Sequence, residues 1–222
     1  MTKFKTTNIV RMDWLRNRTP TGKRSATKAR KLAQYLAFGR GRPQEQMERP
    51  QRGQWLDESG RPCTHQEVLD WVIQQGKENQ FTHQFILSVK DTPLTSESFN
   101  RAMAAGGDLF PKWRLIQHTD TRYPHAHALA FGQKEVRIKS EAFREWWLGV
   151  RAALERERQT HLAQQQQSQW AQGLQQQPEP TDRRQLVQGI QPQGEAAQSH
   201  SLADGRTAVL DTQQQMTPIV SI

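Results

Sequence analysis

The chain has 222 residues and a mean hydropathy of -0.89, with no run of 18 apolar residues, so no membrane-spanning helix and no membrane insertion is expected. One cysteine, Cys63, excludes an internal disulfide framework and a cysteine-built zinc cluster, and the N-terminal MTKFKTTNIVRMD lacks the apolar stretch of a secretory signal; both point to a reducing cytoplasm. The net charge of +9 is uneven: residues 1–50 hold 13 basic and 3 acidic side chains, and the remainder holds 18 and 19. A polyanion touching the first fifty residues, nucleic acid being the usual one, is the simplest reading; a solubilising basic arm is the plain alternative.

Taken in chain order, Thr19-Pro20-Thr21-Gly22 reads as a turn. Ser25 then caps a helix with Ala29, Leu32 and Leu36 at helical spacing, ended by Gly39 and Gly41. Residues 40–62, rich in Arg, Gln, Gly and Pro, read as a long loop with room for a hairpin. Thr64-His65-Gln66-Glu67 is a capping box opening a helix to about Gln75. Phe81–Val89 reads as a buried strand, and Thr95 or Ser96 starts a helix that Gly106-Gly107 stops. Alternation predicts strands over 113–118 and 125–131, with a short third at Val136-Arg137-Ile138. Ser140 caps a long helix to about His161, striped by Phe143, Trp147, Val150 and Leu154. The order predicts an α+β domain over residues 1–162, a central antiparallel sheet with helices packed on it. From Gln164 to Ile222 there are 17 glutamines and few large apolar residues, so 163–222 reads as a Gln-rich, disordered tail.

The segment His118-Thr-Asp-Thr-Arg-Tyr-Pro-His-Ala-His127 carries the chemistry. His125 and His127 are two apart on a strand and share a face. The Tyr123-Pro124 corner turns the chain so that His118 faces the pair across a hairpin. Three imidazoles leave coordination positions open, which is the ligand count of a catalytic metal site rather than a closed structural one. Imidazole suits Zn, Mn, Co, Ni or Fe. Asp120 is placed to accept a ring N–H and fix a ligand's tautomer.

HTDTRYPHAHALAFG resembles the third motif of plasmid mobilisation relaxases, the HUH-type DNA-nicking enzymes of the VirD2-like group, in which HxDxxxxHxH precedes apolar strand residues. HQFILSVKDTP at 83–93 is similar to the second motif, a strand ending in a DNA-contacting serine, here Ser88. KLAQYLAFGRG at 31–41 is similar to the first, a helix presenting the nucleophilic tyrosine, here Tyr35. The resemblance covers about residues 8–160, leaves 40–62 unaligned, and leaves no room for the primase or helicase domains many relaxases carry. It implies an HUH-like sheet, a divalent ion (Mg, Mn or Zn) on His118, His125 and His127, and nicking of one strand of a supercoiled plasmid at a transfer origin. Attack by Tyr35 on a phosphodiester in a single-stranded nick region gives a 5′-phosphotyrosine and a free 3′-hydroxyl, so the strand can be rejoined without ATP. It also implies a bacterial cytoplasm, an accessory DNA-binding protein and a type IV secretion coupling protein as partners.

Within that expectation His118 is either a metal ligand or a base on Tyr35 with Asp120 behind it. Lys23, Arg24, Lys28, Arg30, Lys31, Arg40 and Arg42 are the phosphate-contacting residues expected from the basic segment. Trp14 and Trp55 are candidates to stack on unpaired bases, and His83 reads as structural. Two other readings stand beside this one: a rolling-circle replication initiator of the same superfamily, and a non-catalytic basic DNA-binding accessory protein. The tyrosine-first order favours the relaxases.

Overall fold

A computed structural model describes residues 7–121 and 123–175, all within one compact unit that spans 1–177. The chain runs β1 (Asn8–Arg16), α1 (Thr27–Phe38), α2 (Pro43–Met47), β2 (Trp55–Asp57), β3 (Pro62–Cys63), α3 (His65–Glu78), β4 (Phe81–Val89), α4 (Ser96–Ala104), β5 (Trp113–His118), β6 (His125–Gly132) and α5 (Glu141–Gln175). The strands form one six-stranded sheet in the order β1-β4-β6-β5-β2-β3, antiparallel at every pairing. The fold is α+β, as its element order predicts.

Each face of the sheet has its own apolar core. Phe85, Leu87, Leu115 and the alanines at 126, 128 and 130 point to one side, where Phe99 and Met103 of α4 and Trp146, Val150 and Leu154 of α5 cover them. Ile116, Leu129 and Trp55 point to the other, against Ala29, Ala33 and Leu36 of α1 and Val68 and Val72 of α3. The run of small residues on α1 lets it lie close. Only glycine fits at position 76 of α3, where a Cβ would sit 2.8 Å from the Ala26 Cβ.

The caps of α3, α4 and α5 follow the sequence; that of α1 does not, its N-cap being Ala26 with no side-chain cap bond, while Ser25, one residue earlier, accepts from the Thr27 N–H at 3.3 Å. Thr64 Oγ1 accepts from the Glu67 N–H at 3.2 Å, and the Glu67 carboxylate receives the Thr64 N–H at 2.6 Å, closing the box that opens α3. Thr95 Oγ1 accepts from the Ser98 N–H at 3.3 Å at the start of α4, and Ser140 Oγ accepts from the Phe143 N–H at the start of α5.

Four segments differ from the sequence expectation. β1 is a nine-residue edge strand where none was predicted; the alternation of Val10, Met12 and Trp14 with charged residues is the signal it carries. Residues 40–62 fold the short helix α2 and the β2–β3 hairpin. Val136–Ile138 is not a strand, because β6 is already flanked by β4 and β5 and offers no edge beside it. α5 continues to Gln175 rather than ending near His161, since unbranched glutamines cost a helix little and no proline interrupts it before Pro178. The Gln-rich segment from 176 to 222 lies outside the described residues. No described helix is long and apolar enough to cross a membrane.

Candidate metal centre

Antiparallel register sets side chains in rows across a sheet face. On the face under α1, one row runs Ile9, Ser88, His125, His118 from β1 to β5; the next, two residues along, runs Arg11, Ile86, His127, Ile116. The three histidines therefore meet at the end of the β5–β6 hairpin. Their ring centroids lie 4.8–5.2 Å apart, and one nitrogen from each falls within 4.8 Å of the others. His118 and His127 are buried and His125 half-buried.

Each ring is tied down through one nitrogen. His118 Nε2 donates to the Leu36 carbonyl at 2.7 Å, using one of the backbone acceptors that the C-terminal turn of α1 leaves open. His125 Nδ1 lies 3.2 Å from both the Tyr123 carbonyl and the Thr121 hydroxyl, so its N–H has an acceptor. His127 Nδ1 lies 3.3 Å from Gln84 Nε2, whose N–H donates to it and holds the ring. The donor set thus fits a cation. His118 Nδ1 is a buried nitrogen with no hydrogen-bond partner, which is costly unless something occupies it. Burial pushes His118 down to about 4, against the pull of the Leu36 carbonyl. Burial, with help from the two neighbouring imidazoles and Arg52, pushes His127 down to about 3. Both rings are neutral at pH 7, the form that ligates metal.

Asp120 does not serve an imidazole. Arg52 forks onto both its oxygens, Nε to Oδ2 at 2.8 Å and Nη2 to Oδ1 at 2.9 Å, and holds its carboxyl below the ordinary range. The ring N–H acceptors are instead the carbonyls of Leu36 and Tyr123, while the Gln84 amide N–H donates to His127. The sequence reading missed Arg52, which lies in the loop it left unaligned. Its backbone N–H also donates to the Ala37 carbonyl at 2.8 Å, so Arg52 joins the end of α1 to the β5–β6 turn.

Ser88 stands beside His125 in the same row, half-buried, and lines with it a hollow of about 370 Å³ that Arg11, Ile86, Thr121 and Tyr123 complete. Tyr35 is 40 % exposed on α1 and lines a separate depression with Lys31 and Arg40. Its ring makes no contact with the three imidazoles among the described residues, although the carbonyl of the next residue, Leu36, holds His118. Lys23, Arg24, Lys28, Arg30, Lys31, Arg40 and Arg42 are all exposed and form no ion pair among the described residues. Trp55 is fully buried in the core beneath α1 and α3, which removes it as a stacking candidate. Trp14 is half-buried, edge-on to Phe81 at 5.5 Å. His83 is fully buried among aromatics, 5.1 Å from Phe110. Comparison of the chain with known protein families, with curated proteins and with solved structures finds no match.

Proposed function

We propose that the protein is a metal-dependent DNA strand-transferase of the mobilisation-relaxase type, with an HUH-like sheet, acting on one strand of a plasmid at a transfer origin. The observation that carries this reading is the histidine triad: three rings, each tethered through one nitrogen, converging on one face of the sheet beneath the last turn of α1. That turn carries Tyr35, and α1 carries three of the exposed cations that form no ion pair among the described residues, Lys28, Arg30 and Lys31.

His118, His125 and His127 would hold the ion, which supplies positive charge to a non-bridging phosphate oxygen. The other steps belong to side chains of the chain. The Tyr35 phenol oxygen bonds to phosphorus and the bond from phosphorus to the 3′-oxygen breaks. The departing oxygen takes up a proton as the phenol loses one, so charge and bond count balance and the reverse reaction reseals the strand. Lys31 and Arg40, which share the Tyr35 depression, attract the incoming phosphate. Ser88 donates to the strand beside the triad. The fork between Arg52 and Asp120 keeps the β5–β6 turn fixed against α1, and with it the spacing of His118 and His125.

The test is incubation of the purified protein with supercoiled plasmid carrying its own flanking DNA, plus Mn or Mg, with and without protease before electrophoresis. Relaxed plasmid bearing a protein adduct that resists denaturant is expected, and Tyr35→Phe abolishes the adduct while Tyr123→Phe keeps it. Retention of the adduct in Tyr35→Phe with its loss in Tyr123→Phe moves the nucleophile to the hairpin. Binding of DNA with no change in plasmid topology leaves a non-catalytic DNA-binding protein.

A further inference from the structure

β1 ends the sheet: β4 lies along one side of it, and no described strand lies along the other. In a strand the N–H and C=O of one residue point the same way, and the direction alternates from residue to residue. Just beyond the two ends of β1, the Thr7 carbonyl accepts from the Lys90 N–H at 2.7 Å and the Asn17 N–H donates to the Gln80 carbonyl at 2.9 Å, so the odd-numbered residues face β4. The even-numbered ones face outward. The Val10 carbonyl accepts from the Trp147 indole at 3.2 Å, and the Trp14 N–H donates to the carboxylate of its own neighbour, Asp13, at 2.7 Å. Met12, between them, faces the same way. On the sheet face that carries the triad, α1 and α3 cover β2, β5 and β6 and leave β1 open. Ile9 is 44 % exposed there, and Arg11 and Asp13 are exposed and form no ion pair among the described residues.

A free edge nine residues long is a template for another strand, and charges along an edge ordinarily keep one away. On β1 the charges select a register instead. We infer that β1 pairs antiparallel, centred on Met12, with β1 of a second copy of this chain, so that Arg11 of each copy stands opposite Asp13 of the other. Outward-facing residues must meet outward-facing ones, so the neighbouring allowed registers are centred on Arg11 and on Asp13. Those set two guanidiniums or two carboxylates face to face, which opposes pairing. Centred on Met12, the two Met12 residues form a hydrogen-bonded pair and Val10 meets Trp14 on either side of it. Arg11 and Asp13 fall in the close pairs between, with Cα atoms about 4.5 Å apart. The Trp14 N–H passes from Asp13 to the Val10 carbonyl of the other copy, whose second lone pair remains for the Trp147 indole. The released Asp13 carboxylate takes Arg11. The contact is two-fold symmetric, so the Arg–Asp pair forms twice. The two sheets become one, with both histidine triads on the same face.

The test is sedimentation equilibrium of the full chain in chelator and low salt, from about 2 to 200 μM protein. The parent is expected to form a dimer as its concentration rises. Arg11→Asp and Asp13→Arg each turn both attractive pairs into repulsive ones and weaken the dimer by about 10-fold or more. The chain carrying both changes restores the pairs in exchanged positions and stays within about 3-fold of the parent. An equimolar mixture of the two single variants associates again, because each supplies the charge the other lacks. Both side chains are exposed, so every variant keeps the parent's circular dichroism. A parent that stays monomeric, single variants that dimerise as the parent does, or a double variant that stays dissociated overturns the pairing. No DNA and no ion take part, so the outcome is separate from nicking. A monomer that forms the Tyr35 adduct refutes the pairing and keeps strand transfer; a dimer that follows the charge exchange but makes no adduct does the reverse.

Discussion

Three buried imidazoles make this protein sensitive to mild acid, and His83 isolates one of them away from the triad. His83 is fully buried on β4, both its ring nitrogens lack partners, and burial pushes it down to about 4. An unfolded histidine titrates near 6.5. Between those values the unfolded chain binds the extra proton, so stability is fully present above about pH 6.5 and falls as the pH drops toward 4, at up to about 1.4 kcal/mol per pH unit for each such ring. Going from pH 7.5 to 5.5 costs about 1.3 kcal/mol per ring. His118 and His127, pushed down to about 4 and about 3, act with the same sign when no ion is bound. The three together remove about 4 kcal/mol by pH 5.5, a large share of a typical domain's stability. Carboxylates held low, such as Asp57 and Asp120, lose their contribution only at more acid pH. The perturbation is His83→Leu, measured by urea unfolding at pH 7.5, 6.5 and 5.5 in chelator with tryptophan fluorescence as readout. The variant is expected to match or exceed the parent at pH 7.5, since it removes two unpartnered nitrogens, and to lose about one third less stability on acidification. Parallel stability curves for the two proteins across that range would refute the reasoning.

Two further outcomes follow from the geometry. Adding Mn, Ni or Zn at about 100 times its dissociation constant stabilises the native chain by about 2.7 kcal/mol, which for a unit of this size raises Tm by roughly 5–10 °C; replacing His125 by Ala abolishes the rise, and a rise that survives that change places the ion elsewhere. A Cβ at Gly53 would lie 2.0 Å from the Gln117 carbonyl oxygen, a backbone atom that cannot move aside. Gly53→Ala is expected to cost about 1–3 kcal/mol in chemical denaturation and to loosen the neighbouring Arg52–Asp120 fork; an unchanged midpoint means the loop does not need that close approach.

Much of the fold is legible from residue pattern because the signals are local. The capping box at Thr64, the glycines after α1 and the alternation through 113–131 each act within a few residues, and α3, β5 and β6 form where those signals lie. β1 is harder to read: its apolar side is only Val10, Met12 and Trp14, alternating with Arg11 and Asp13 within a strongly basic segment, and its partner β4 is more than sixty residues away in sequence. The β2–β3 hairpin is likewise only five residues of strand, held by Trp55 packing beneath two helices.

The candidate centre divides in the same way. The sequence by itself determines that His125 and His127 share a face, and that a hairpin brings His118 opposite, because strand periodicity is a property of the chain alone. Only the tertiary structure decides how those rings are held. His118 is anchored by a carbonyl 82 residues away, and Asp120 is taken by an arginine 68 residues away rather than by a histidine. Which half of the sheet stays open beside them depends on where α1 and α3 come to rest. Hydrogen bonds and charge pairs of that span depend on packing between elements, and no local pattern of residue types encodes their partners.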